Sequence, residues 1–341
     1  MRDLLDYNLL GHNTFGINAK CSRFLEYAST EEAQKVCCLL REEKELPLLI
    51  IGAGSNLLLT GDFKGVVVHS AIKGYEVQAA PDDDHVLLRV GSGEVWDDIV
   101  ALCVEKGYQG AENLSLIPGE VGASAVQNIG AYGCEASHII YKVEAVELSS
   151  GRKFEMMADE CQYGYRQSRF KTEWKNRFLI THVTYKLAKK AGTLNTAYGN
   201  IRAELERRNI AEPTLEQLRE VIIDIRKNKL PDPKEQGNAG SFFMNPVVGR
   251  TQFEKLLAQY PDMPHYFIDE AHEKIPAGWL IEQCGWKGRS LGPAGVHDRQ
   301  ALVLVNRGGA TGNDIVTLCE QVRKDVRERF DIQIFPEVNI I

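Results

Sequence analysis

An apolar run, Leu46-Pro-Leu-Leu-Ile-Ile51, passes straight into a glycine turn, Gly52-Ala-Gly54-Ser55-Asn56, and a second run follows at Gly65-Val-Val-Val-His69. A strand ending in such a turn presents consecutive backbone N–H groups that can cradle a pyrophosphate. The turn serves equally well as plain structure on these residues alone. The layout of short strands broken by turns reads as mixed α/β. Two common nucleotide-binding folds are disfavoured. Leu57 stands where a GxGxxG fingerprint needs its third glycine, Gly91-Ser-Gly93 fails in the same way, and no GxxxxGK[ST] occurs in the 341 residues.

Helix signals lie between the strands. Ser29 with Glu32 resembles a capping box opening a helix towards Leu39 and Leu40, and residues 96–106 form an amphipathic helix closed by Gly107. Thr214 with Gln217 opens another, whose Leu215, Leu218, Val221, Ile222 and Ile225 share one face. Leu230-Pro-Asp-Pro233 must end it, which leaves Lys229 at a helix terminus and makes residues 231–240 the best domain boundary. Beyond lies a smaller α/β unit. Its expected parts are a helix over 277–284, a buried strand over 301–305, a helix over 313–330 and a last strand alternating through Ile332, Ile334, Val338 and Ile340.

Composition narrows the partners. A formal net charge of −7 argues against nucleic acid. No apolar run approaches the roughly 20 residues that span a bilayer, and the N-terminal residues lack a signal-peptide layout, so a cytoplasmic protein without a membrane partner is expected. The eight cysteines contain no CxxC pair, and His272-Glu273 lacks the second histidine of HExxH. No metal site is expected.

The segment Asn238-Ala-Gly-Ser-Phe-Phe-Met-Asn-Pro246 carries the sharpest chemical signal. Gly237 and Gly240 permit tight backbone conformations, while Phe242 and Phe243 favour an extended, half-buried strand that dries the Ser241 hydroxyl. Ala239 and Phe243 break the GxSxG pattern, so proton donation outranks acyl transfer. A serine that only satisfies a backbone group at a strand edge remains the alternative. A second glycine-rich stretch, residues 115–133, has Gly119, Gly122, Gly130 and Gly133 among small residues, with Gln127 and Asn128 suited to a heterocycle edge. Arg166, in a run with Tyr163, Tyr165 and Lys171, is either a fork for a carboxylate or part of a cation–π surface.

These motifs, together with Ile117-Pro118-Gly119, Tyr165-Arg-Gln-Ser-Arg-Phe-Lys171, Lys229-Leu-Pro-Asp-Pro233, Gly240-Ser-Phe-Phe243 and Pro336-Glu-Val338, occur in the order seen in a known family. The chain resembles the UDP-N-acetylenolpyruvoylglucosamine reductases, FAD enzymes of peptidoglycan precursor synthesis, from Asn13-Thr-Phe-Gly16 onward. The resemblance implies a two-part FAD-binding domain of the vanillyl-alcohol oxidase (PCMH) type plus a smaller α/β substrate-binding domain. The implied parts are 1–70 with a returning strand at 333–341, then 71–230, then 231–332. Non-covalent FAD would be held by Gly52, Gly54, Ser55, Asn56, Leu57, Pro118, Gly119, Gly122, Ala123, Ser124, Gln127, Asn128, Gly130, Ala131, Tyr132, Gly133 and Arg226. NADPH would be the co-substrate. Ser241 would protonate C2 of UDP-N-acetylglucosamine enolpyruvate, Arg166 would bind its carboxylate, and Glu337 would help polarise it. Lys229 would assist, and Tyr198, Asn245, Tyr266, Lys274 and Gln300 would hold the uridine diphosphate end. Tyr198 in Thr196-Ala-Tyr-Gly199 is similar to the tyrosine loop of the family's longer type I form. A monomer is expected. The rival readings are a flavin oxidase of the same superfamily and a nucleotide-sugar binding protein without turnover.

Overall fold

The computed structural model describes residues 1–43, 45–189 and 192–341. The chain divides into two compact units: Met1–Tyr7, Cys21–Ala53 and Lys64–Asn228 form the first, and Asn8–Lys20, Gly54–Phe63 and Lys229–Ile341 the second.

Two sheets organise the first unit. In one, strands Arg2–Asn8, Lys20–Tyr27, Phe63–Ser70 and Leu48–Ile51 lie in that order. The two apolar runs pair in parallel, Ile51 opposite His69. Helix α1 (Thr30–Glu42) buries Val36 and Cys37 with Leu25, Val66 and Val68. Its cap is the one legible in the sequence: Ser29 Oγ accepts the Glu32 N–H at 3.1 Å, while the Glu32 carboxylate reaches back to the Ala28 N–H at 2.7 Å. The other sheet is antiparallel, in the order Lys153–Met157, Ile140–Glu147, Phe178–Ala188, His85–Gly91 and Tyr75–Ala79. Helices α2 (Trp96–Glu105) and α3 (Val121–Gln127) share a core with it that includes Leu88, Val90, Trp96, Val121, Val143 and Val183. Trp96 is buried without leaving a donor unpaired, because its indole N–H reaches Leu114 O at 2.9 Å. Truncating a ring of that size to alanine costs about 3–5 kcal/mol. Helices α4 (Gly199–Arg207) and α5 (Leu215–Lys229) form a small cluster of their own around Ile201, Leu205, Leu218, Val221 and Ile222. Thr214 and Gln217 cap α5 reciprocally, at 3.0 and 3.3 Å.

The second unit contains α6 (Arg250–Gln259), α7 (Ala277–Gln283) and α8 (Gly312–Phe330), with two three-stranded sheets: Val247–Gly249, His272–Lys274, Tyr266–Asp269, and Ser290–Leu291, Ala294–Val296, Leu304–Asn306. Here the structure corrects two expectations. The strand expected over 301–305 is confined to Leu304–Asn306, because residues 301 and 302 lie in a turn whose Leu302 and Val303 carbonyls accept from Phe242 and His297. The last strand shrinks to Asn339–Ile340, paired in parallel with Leu57–Leu58, although Ile332, Ile334 and Val338 are buried as the alternation requires. Helix α8 begins at Gly312 because Thr311 and Asp314 form a capping box ahead of it. No helix among the described residues is long and apolar enough to cross a membrane.

Candidate active site

In the second unit the loop before Ser241 is fixed residue by residue. A Cβ on Gly237 would lie 2.2 Å from Phe15 O, so only glycine fits, and Gly240 needs its freedom for a φ of +68°. Asn238, 2% exposed, donates its backbone N–H to Thr14 O at 3.0 Å and accepts the Gly240 N–H at 2.9 Å. Phe242 and Phe243 then turn inward, fully buried, their rings 5.1 Å apart. With the aromatic anchors set, the backbone pairs antiparallel with the tail: Phe243 faces Pro336, the Glu337 N–H donates to Phe242 O at 2.8 Å, and the Met244 N–H donates to Phe335 O at 2.9 Å. Ser241 therefore sits one residue from the position opposite Glu337.

One expectation fails here. Ser241 is exposed, and its hydroxyl makes no hydrogen bond to the described residues. Ser241 stands at the edge of the packed segment, between Gly240 in its left-handed conformation and the buried Phe242.

The same ladder reaches the first glycine turn. Asn56 Nδ2 donates to Glu337 O at 3.3 Å, and Asn56 O accepts the Asn339 N–H at 3.1 Å. Gly54 has φ +67° and no room for a Cβ, which would fall 2.0 Å from His12 O. Among the described residues the Gly54 and Asn56 amides donate to no backbone carbonyl. Unspent donors of this kind suit a diphosphate. Ser55 lies between them, whereas Leu57 is a buried strand residue and not an exposed contact.

In the first unit, Gly52 is close-packed: a Cβ there would meet Glu120 Oε2 at 3.1 Å. The 115–133 stretch sorts into support and donors. Gly122 lets α3 approach Ser92, and Gly130 makes room for the Arg166 guanidinium. Gly119 and Gly133 both have positive φ, as does Tyr132 between Ala131 and Gly133. Among the described residues the Ile117 and Gly119 amides donate to no backbone carbonyl, and the buried Asn113 Oδ1 has no partner. Together with exposed Pro118, these groups fit a large planar ligand with polar edges.

Three expected contacts are otherwise engaged. Ser124, beside Ala123, spends its hydroxyl on Val121 O and Tyr185 OH at 2.7 and 2.8 Å. Asn128 is wholly buried and holds Glu135 Oε2, Gly164 O and the Ser137 N–H. Gln127 Oε1 accepts from Lys171 Nζ at 3.1 Å. Both amides brace the loop, Asn128 from within a left-handed turn of φ +46°.

Arg166 also has positive φ, lies 5.3 Å over the Tyr165 ring, and donates to Gly130 O and Asn128 O. Arg226 donates Nε to Leu116 O at 3.2 Å; burial pulls its pKa below the usual arginine value, with the Tyr132 side chain opposing that shift. Tyr198 packs edge-on against Tyr132 at 5.6 Å. Arg166 and Tyr198 belong to the first unit, Ser241 and Glu337 to the second, and Lys229, exposed at the end of α5, opens the second.

The remaining polar candidates gather around the start of α7. Lys274 faces Tyr266 in register, its ammonium 5.8 Å from the ring centre. Asn245 Oδ1 accepts the Ala277 N–H at 2.9 Å, and a Cβ on Gly278 would come 3.1 Å from Gln300 Oε1. The sequence reading passed over Asn113, whose Nδ2 donates to Tyr132 O and Asn195 O at 3.2 and 2.9 Å. An asparagine between Ala111 and Leu114, both buried, was the available signal.

Comparison with known proteins identifies the family. Residues 232–341 match the family model described as UDP-N-acetylenolpyruvoylglucosamine reductase, C-terminal domain, and residues 22–156 match an FAD binding domain. The chain is 54% identical to UDP-N-acetylenolpyruvoylglucosamine reductase from Bacteroides fragilis strain ATCC 25285, over 98% of this chain and 99% of that one. It is 46% identical to the Flavobacterium johnsoniae reductase of the same name, over 98% of each. The solved structure of the Thermus caldophilus UDP-N-acetylenolpyruvylglucosamine reductase superposes with a TM-score of 0.68 at 21% identity, covering 99% and 98% of the two chains. At that identity the superposition establishes the shared fold.

Proposed function

Because the chain belongs to the UDP-N-acetylenolpyruvoylglucosamine reductase family, and is on that ground an FAD-dependent oxidoreductase of peptidoglycan precursor synthesis, we propose that it reduces UDP-N-acetylglucosamine enolpyruvate to UDP-N-acetylmuramate with NADPH as reductant. The fold is a two-part FAD-binding domain of the vanillyl-alcohol oxidase type with a smaller α/β unit. FAD, when bound, would supply the hydride acceptor and donor that link nicotinamide to C3 of the enolpyruvyl ether.

The protein's own residues handle the proton and the charge. Addition at C3 leaves a strongly basic carbanion at C2, against which a serine hydroxyl is a competent acid, and Ser241 delivers that proton. Arg166 pairs with the substrate carboxylate, and Glu337 helps to polarise it. Lys229 polarises the serine. The amides of Gly54, Asn56, Ile117 and Gly119 are the donors for the cofactor, with Arg226 nearby in sequence to the end of α5. Tyr198, Asn245, Tyr266, Lys274 and Gln300 take the uridine diphosphate end. The reaction runs in the cytoplasm on a monomer. The observation that supports this reading best is the antiparallel pairing of Phe243 with Pro336, which brings the segments that carry Ser241 and Glu337 together on one short ladder.

The test is an anaerobic absorbance trace. NADPH should bleach the flavin and the enolpyruvyl substrate should restore it. A flavin that NADPH does not bleach, or that the substrate does not reoxidise, would overturn the assignment.

A further inference from the structure

Leu116 has a backbone conformation that leucine rarely adopts. Its φ is +57°, in the left-handed region where a Cβ crowds the following carbonyl. Such residues persist where their surroundings over-determine them. Both backbone groups of Leu116 are held by charged side chains: the N–H donates to Asp97 Oδ1 at 2.5 Å, and the carbonyl accepts from Arg226 Nε at 3.2 Å. Asp97, in the first turn of α2, is itself gripped by Arg219 through two hydrogen bonds of 2.7 and 3.0 Å. Arg219 and Arg226 are seven residues apart on α5, about two turns, and so share a face. Trp96, next to Asp97, fixes Leu114 O. The chain is thus pinned on both sides of Leu116, immediately before the Ile117 and Gly119 amides, which donate to no backbone carbonyl among the described residues.

We propose that Asp97 is a positioning residue of the flavin site: together with Arg226 it locks Leu116 in the left-handed conformation and so aims the amides of residues 117–119 at the cofactor. The inference rests on the reading of those amides as FAD contacts. Arg219 acts one step further back, by holding the Asp97 carboxylate in place.

The test is FAD titrated into deflavinated protein, read by fluorescence quenching and by the visible band of the bound flavin, with circular dichroism confirming the apo fold. Asp97→Ala should bind FAD about tenfold more weakly, since the strained turn relaxes. Adding Leu116→Gly to that variant should restore most of the affinity, because glycine holds the left-handed conformation without a clamp. Wild-type affinity in Asp97→Ala, or no recovery in the double variant, overturns the proposal. If Asp97→Ala does not fold, Leu116→Val and Leu116→Gly decide with the clamp intact. A β-branched valine is worse than leucine at positive φ and should weaken binding, while glycine should not. Equal affinity in the two overturns the proposal. A wild-type chain that takes up no FAD would instead sink the reading of residues 117–119, and the clamp's role with it.

Discussion

Replacing Ser241 by alanine separates the proton step from everything else the protein does. The hydroxyl is exposed and bonded to no described residue, so its removal deletes no buried contact. Surface changes of that kind stay within about 0.5 kcal/mol, which in a chain of this size moves the melting midpoint by about 1–2 °C. Phe242 and Phe243 keep the backbone ladder with Pro336 in either case. The chemical loss should be far larger. A general acid contributes about 10²- to 10⁴-fold, equivalent to about 2.7–5.4 kcal/mol of barrier. It should appear in one half-reaction only, because reduction of the flavin by NADPH needs no proton from Ser241 whereas quenching the C2 carbanion does. Anaerobic stopped-flow absorbance measures the two halves separately. Ser241→Ala should reduce its flavin at the wild-type rate and reoxidise it slowly, and Ser241→Cys should keep part of the activity. Equal slowing of both halves would mean a structural serine, and no slowing of either would remove Ser241 from the chemistry.

Arg166→Lys keeps the charge but loses the fork, so reoxidation by substrate should slow strongly; an unchanged rate would exclude Arg166 from carboxylate binding. Lys229→Ala should raise KM and lower kcat for the enolpyruvyl substrate, and unchanged steady-state constants in the folded variant would leave Lys229 as a helix-terminal charge. Denaturation should release the flavin intact, since the site motifs offer no histidine or cysteine for a covalent link, and flavin that stays with the precipitated chain would contradict this. A pH effect belongs to His69, held by Glu26 on Nδ1 at 3.0 Å and by Glu120 on Nε2 at 3.1 Å. Burial disfavours its charged form, but the hydrogen bonds and charges of Glu120 and Glu26 outweigh that and raise its pKa above 6.5. The group therefore stabilises the fold fully below pH 6.5 and loses that contribution as pH rises through the raised value. His69→Gln should flatten the fall in urea midpoint above neutral pH, and an unaltered slope would refute the assignment.

Local rules carried much of the fold. The Ser29 and Thr214 caps sit where side-chain spacing put them, since a cap is decided within four residues. The apolar runs at 48–51 and 65–69 paired as strands because short apolar stretches rich in isoleucine and valine, bounded by glycine, leave few alternatives. Residues 301–303 misled because a short buried apolar run has no period of its own, and the carbonyls of Leu302 and Val303 were claimed by Phe242 and His297. In the candidate site, the motif order picks out segments but not which way their side chains face. Nothing local tells that Asn128 and Ser124 look inward or that Leu116 is left-handed, because those states are imposed by Glu135, Tyr185 and Asp97.

The threefold segmentation of the second unit has a consequence for how the chain is made. Leu57-Leu58-Leu59 is apolar and buried in the finished protein, yet the strand that pairs with it is Asn339–Ile340, and Thr60 bonds Ile341 across 281 residues of sequence. At about 5–20 residues per second, a ribosome leaves that segment without its partner for tens of seconds. The first unit has all of its sequence once Asn228 has emerged, so its sheets can form while residues 8–20 and 54–63 still wait. The segment that follows the glycine turn at Gly54 thus waits for residues 339–341, and removing those three residues should leave the leucines as a sticky, unpaired strand for chaperones to shield.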